Sequence, residues 1–263
     1  MKKLITLIVL FAGLSIQGQS RKLNATVIDS IAVEADDYIG FDGFKNYFYV
    51  KNNVLFKKNE QKTFQYQNLS LGKISKVDLL NPLKVLVFYE NFNTVVLLDS
   101  QLSEIEKFNF SDYDTPIMAS AVGVSGQNKL WIYNSLDQHI GLFDTTTNQY
   151  SDLGVPIKES FTYYQTDFNY FQWTDKQNQW QLCTIFGRMF SNGAIEANDQ
   201  MQLLDKNKII YLKEGKLFLN DRSTSQLYEI EKIQKSFIKF YYKDQILSIF
   251  TTKGIMNYKI NIP

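Results

Sequence analysis

The chain has 263 residues, 44% of them hydrophobic and 15% aromatic, with 28 basic against 27 acidic side chains. Such a balance, with no long basic run, lacks the electrostatic footprint that nucleic acid or an anionic membrane surface demands. The aromatic excess favours strands over helices, and the length suits one large all-β domain or two small ones.

Lys2-Lys3 precedes an apolar run from Leu4 to Ile16 and the small polar exit Gln17-Gly18-Gln19-Ser20. That run is short of the ~20 residues a spanning helix needs, and the order of segments is that of a secretory signal peptide. Residues 1–18 are expected to be cleaved off, leaving 19–263 as a single domain. No cysteine stands near the exit, so the expectation is a soluble periplasmic protein rather than a lipoprotein or one with a transmembrane segment.

Residues 23–34 read as one extended strand leading into the body. A first unit follows with apolar runs at 38–41, 46–50, 53–56 and 63–66. Its turns are marked by Asp42-Gly43, Asn52-Asn53 and Asn59. The second unit, 76–110, is the cleanest: Lys76 to Leu80, Leu83 to Tyr89, Val95 to Asp99 and Glu104 to Phe108. The third spans 116–153. The fourth, with runs near 161–164, 170–173 and 181–186, is irregular, and Asn192-Gly193 reads as a turn. The fifth spans 201–230, and the last offers only three runs, near 237–242, 246–250 and 255–260. Four short strands recurring about every 40 residues are the mark of β-propeller blades.

Lys57, Asp99, Asp144, Asp221 and Lys259 mark the end of the third strand in five units; the gap between Asp144 and Asp221 is about two units long. The fold expected is therefore all-β, a propeller of about six four-stranded blades, with five to seven fitting the irregular fourth unit. Residues 24–34 would supply the strand missing from the last unit and close the ring, protecting its edges. A β-sandwich or barrel is the competing architecture, but it rarely repeats whole four-strand units.

The chain holds one histidine, His139, in the turn 136–139, and one cysteine, Cys183, in an apolar strand pattern. Zinc or iron would need several His or Cys ligands, so transition-metal and haem chemistry are not expected, nor a disulfide, and no metal or cofactor is assigned. Asp36-Asp37 and Asp112 with Asp114 lack the spacing of a calcium loop and read as turn caps. Gly123-Val-Ser-Gly126 reads as a hairpin turn rather than a phosphate loop. The fourth unit crowds aromatic residues, and Tyr163, Tyr164, Tyr170, Trp173 and Trp180 are the binding face expected from the sequence.

The Asn/Lys/Tyr-rich composition and the Gln17–Ser20 exit resemble exported proteins of Bacteroidota. Asp29-Ser-Ile and Asp144-Thr-Thr look like that group's short O-glycosylation acceptors. The Leu83–Asp99 blade resembles NHL/WD-like and PQQ-like periplasmic propellers, without the Trp-Asp ending of one or the repeated signature of the other. A small propeller lacking a type IX sorting domain is similar to the periplasmic plug of the type IX secretion translocon. The resemblance implies a non-enzymatic, protein-binding subunit of an outer-membrane complex. The alternative from the residues is a glycan-binding or carboxylate-dependent carbohydrate-active propeller.

Overall fold

A computed structural model describes residues 20–158 and 160–263. The leader segment 1–18 lies outside them. Two N-terminal strands, β1 (Arg21–Asn24) and β2 (Thr26–Ile31), precede the blades. Blade one is β3 (Asp37–Phe41), β4 (Tyr47–Lys51), β5 (Val54–Lys58) and β6 (Thr63–Tyr66). Blade two is β7 (Lys76–Asp78), β8 (Val85–Tyr89), β9 (Thr94–Leu98) and β10 (Glu104–Asn109). Blade three is β11 (Ala119–Val124), β12 (Lys129–Asn134), β13 (His139–Asp144) and β14 (Gln149–Leu153). Blade four is β15 (Phe161–Thr166), β16 (Tyr170–Asp175), β17 (Gln179–Thr184) and β18 (Met189–Ala194). Blade five is β19 (Gln200–Leu203), β20 (Lys208–Lys213), β21 (Lys216–Asp221) and β22 (Gln226–Glu231). Blade six is β23 (Lys239–Lys243), β24 (Ile246–Thr251) and β25 (Gly254–Lys259), completed by β2. The chain is a six-bladed β-propeller. No helix among the described residues is long and apolar enough to cross a membrane.

The middle strands of a blade are covered on both faces by neighbouring blades, so they read as unbroken apolar runs. β8 and β9 are buried at every position, whereas the outer β10 is buried only at Phe108. Between blades two and three, Phe88, Phe108, Phe110 and Phe143 form one such inter-blade core. Phe143 receives the edges of Phe108 and Phe110 at ring-centroid separations of 5.3 Å each.

Ring closure follows the expectation with one change. The leading segment is not one strand but two. β2 pairs antiparallel with β25 as the fourth strand of blade six, while β1 pairs parallel with β22 as a fifth strand on blade five. The break falls at Ala25, which is buried in the core between those blades and donates its N–H to Glu231 O at 3.0 Å. A methyl side chain is small enough to pass between two sheets. One segment therefore clamps two blades.

The closure is anchored by Asn257. Its amide nitrogen donates to Asp29 Oδ1 of β2 at 2.6 Å and to Tyr47 Oη of blade one at 3.1 Å. Its carbonyl oxygen accepts from the buried Ser248 hydroxyl at 2.6 Å. A single buried side chain thus joins blade six, blade one and the N-terminal strand.

Two local readings are corrected. Asn192-Gly193 is not a turn: it lies inside β18, at a bulge where Gly193 takes φ of +78° and Ser191 Oγ accepts its N–H. The hairpin turn of blade three is 125–128, and Gly123 belongs to β11. Gly123 lacks a side chain because Thr166 of the next blade occupies the space: a Cβ there would meet Thr166 Oγ1 at 1.9 Å.

Candidate functional site

Each blade starts its inner strand from the same side of the ring. We call this side the upper face; it carries the loops from strand four to the next strand one and from strand two to strand three. On it, left-handed backbone at Asn93, Gln138 and Asn178 turns the two-to-three loops. Their carbonyls accept from Phe110 N, Ile157 N and Ile195 N at 2.9, 2.8 and 2.8 Å. In blades two to four the two-to-three loop is therefore stitched to the loop that leaves the same blade.

An arc of exposed apolar side chains rides on these loops: Leu69, Phe92, Met118, Leu136 and Val155. Neighbours in the arc are linked in turn. Phe92 packs against Gly72 of the loop holding Leu69. Asn93 Nδ2 donates to Ile117 O at 2.7 Å, and Asn93 Oδ1 accepts Ala119 N at 2.9 Å. Ser135 donates its N–H to Met118 O at 2.9 Å. Singly scattered exposed apolar residues are ordinary, whereas these five stand on adjoining loops tied by hydrogen bonds.

Inside the arc, at the channel mouth, is a cavity of about 170 Å³ lined by Ser75, Lys76, Phe88, Glu90, Ser120 and Tyr164. Lys76 Nζ lies 3.7 Å from the Tyr164 ring centroid, a cation–π contact. Tyr164 Oη accepts the Val122 N–H at 3.2 Å, tying blade four to blade three.

Below the mouth, side chains of the inner strands tie the blades to one another. Asp78 accepts from Leu80 N and Val124 N at 2.8 and 2.9 Å, and the Thr166 hydroxyl donates to it from blade four at 3.4 Å. Tyr241 lies against Gly40, whose φ of +142° and missing Cβ leave room for the ring. Burial pushes the Tyr241 phenol above its ordinary pKa, and the carboxylates of Asp78, Asp244 and Asp42 add to this. The channel carboxylate is thus spent on holding three blades together. The three arginines lie away from the upper loops, in β1 and in the loops 185–188 and 222–225.

The five aromatics expected to form a binding face are not brought together on one surface. Side chains alternate along β15–β17, so Tyr164 and Trp173 pack toward blade three while Tyr163, Tyr170 and Trp180 pack toward blade five. Trp173 and Trp180 are 5% and 0% exposed. Arg222 covers the Trp180 ring at 5.0 Å. Tyr163 donates to Gln165 Oε1 at 2.7 Å, which also accepts Leu203 N from blade five. Of the five, Tyr164 lines the mouth cavity.

The remaining sequence-flagged groups fall as follows. Asp36 Oδ2 accepts Asn52 N, Asp37 pairs with Lys239 at 2.7 Å, and Asp112 accepts from Asn109 Nδ2. Cys183 is buried beside Trp131 and Phe171, and burial alone pushes its thiol up to about 12. Ser30 is exposed on β2, and the Thr145 hydroxyl donates to Asn128 O. His139 opens β13 half-buried, with Asp137 and Asp152 beside it.

These features define a six-bladed propeller with an arc of exposed apolar side chains on its upper loops. No family model matches the chain, and no curated protein matches it in sequence. Among solved structures it is similar to virginiamycin B lyase from Staphylococcus aureus, with 10% identity and a TM-score of 0.58, covering 95% of this chain and 98% of that one. It is similar to the Swd1 propeller domain of Myceliophteria thermophila at 8% identity and a TM-score of 0.56, covering 90% and 100%. It is also similar to BBS1N, solved in complex with ARL6DN, at 10% identity and a TM-score of 0.55, covering 86% and 78%. At such identities the shared property is the fold.

Proposed function

We propose that the chain is an exported, non-enzymatic propeller that docks an envelope protein through its upper face, as a periplasmic subunit of an outer-membrane assembly such as a secretion translocon. The arc from Leu69 to Val155 carries this reading: apolar side chains held in water on loops stitched by backbone hydrogen bonds. Rigid loops of this kind lose little entropy on binding. That BBS1N was solved in complex with another protein supports the use of such a ring as a docking platform. Export rests on the leader pattern of residues 1–18, and the mass of the mature protein from envelopes tests it.

Photo-crosslinking residues placed at Phe92, Met118 and Leu136 in the native host test the docking face. Phe186 serves as the control, being 88% exposed on the opposite side. The expected result is one discrete crosslinked species from all three positions and none from Phe186. The pair F92D and L136D should abolish it while the Tm is kept. Equal crosslinking from Phe186, or an unchanged association of the pair, overturns the reading. The second reading, a glycan-binding or carbohydrate-active site, draws on the mouth cavity with Lys76, Glu90 and Tyr164. It would make E90Q, rather than F92D, the damaging substitution.

A further inference from the structure

We propose that Asp137, His139 and Asp152 form a three-ligand site for a divalent first-row transition ion. In sequence His139 looks solitary, with Asp152 thirteen positions away. The β13–β14 hairpin removes that distance. Asp152 pairs with Gly141, two residues from His139, so both side chains stand on one face of the blade. The turn before β13 brings Asp137 alongside, its Oδ1 accepting His139 N at 3.1 Å. One ligand atom from each of the three residues lies within 4.8 Å of the other two. For three atoms so spaced there is always a point no more than about 2.8 Å from any of them, so shifts of less than about an ångström reach zinc–ligand lengths of roughly 2.0–2.2 Å.

A second observation comes from the imidazole. His139 Nδ1 is covered from water and has no hydrogen-bond partner, with Asp137 Oδ1 3.7 Å away. A covered ring nitrogen without a partner is costly unless something occupies the place of one. Among the described residues no Lys or Arg pairs with either acid, so two carboxylates face one another with no cation from the protein to offset them. The buried Tyr150 Oη lies next to Asp152, where it can orient that carboxylate in the manner of an outer-shell donor. One imidazole with two carboxylates suits zinc, manganese, cobalt or nickel, whereas calcium and magnesium prefer all-oxygen sets. Three protein ligands leave coordination positions for water or for a group from a partner. The bound ion would fasten the loop bearing Leu136 to β14, but the site stands on its own geometry and does not depend on the docking proposal.

Because the chain has a single histidine, its imidazole is a private reporter. The purified untagged protein is titrated with zinc chloride in a non-chelating buffer, by calorimetry and by ¹⁵N imidazole NMR. The expected result is one equivalent of zinc bound, a shift of the His139 ring signals, and a rise in Tm. H139Q and D152N should each weaken binding at least tenfold while the zinc-free Tm changes little. An imidazole unmoved at 1 mM zinc, or binding unchanged by H139Q and D152N, overturns the proposal. So does calcium competing equally well.

Discussion

Asn257→Ala tests whether the ring is held shut where the N-terminal strand joins blade six. Asn257 is 3% exposed and its partners come from three parts of the chain, Asp29, Ser248 and Tyr47. Truncation leaves the Ser248 hydroxyl, which has no exposed surface, without its acceptor, at a cost of about 1–3 kcal/mol. Asp29 is exposed and turns to water, so it adds little. With the lost amide contacts of Tyr47, the whole change comes to about 2–4 kcal/mol. For a domain of this size that lowers the Tm by roughly 4–12 °C. Urea unfolding measures the global loss, and hydrogen exchange of the β2 amides measures whether the seam opens first. S248A placed on N257A removes the orphaned hydroxyl and should recover about 1 kcal/mol. A loss below about 0.5 kcal/mol, or β2 amides that exchange as in the parent, would show that the seam is not held by this side chain.

Two further predictions concern the interior. Lys57, buried beside Asp42 at 3.4 Å, also donates to Ser100 O of blade two at 2.9 Å. K57M strands the Asp42 carboxylate and should cost about 3–5 kcal/mol, whereas D42N added to it should recover part of that loss in a urea-based double-mutant cycle. Asn at position 42 keeps the acceptor that Phe44 N and Asn46 N use. Cys183, with its thiol held up near 12 by burial, should ignore a thiol-specific disulfide reagent in the folded protein and react once unfolded in urea; rapid labelling of the folded chain would place it at the surface.

The blade count was legible in part because three of the strand-three ends share a job. Asp99, Asp144 and Asp221 each close a turn by accepting the N–H groups two or more residues on, such as Gln101 and Ser103, Thr146 and Thr147, or Ser223. A short side chain with a free acceptor at that point is a requirement of the turn. The fourth unit meets it with Thr184, whose hydroxyl accepts Phe186 N and Arg188 N at 3.3 and 3.2 Å. The requirement is the same but the residue type is different, so a search for carboxylates passes over it. The two-blade clamp at the N-terminus was hidden for a related reason. A strand that changes sheets at Ala25 keeps its extended backbone, and nothing in its local pattern records the change of partner.

The surface and the site were less legible, and the cause lies in what the ring does to sequence distance. Aromatic density in blade four records the need to fill two inter-blade cores at once, since alternate residues of each strand serve opposite neighbours. It therefore measures burial, and the exposed arc is instead spread one or two residues per loop, from Leu69 to Val155, below the density that a linear reading detects. His139 shows the same effect at short range. Counted as a lone histidine it offers one ligand, yet hairpin register and one tight turn bring two carboxylates within 4.8 Å. Strand composition in a propeller reports packing against the next blade, while binding chemistry collects in loops whose neighbours are set by closure of the circle. The loops of the upper face and the Asp137–His139–Asp152 cluster are accordingly where substitutions should change interactions without unfolding the protein, and the inter-blade aromatics are where they should do the reverse.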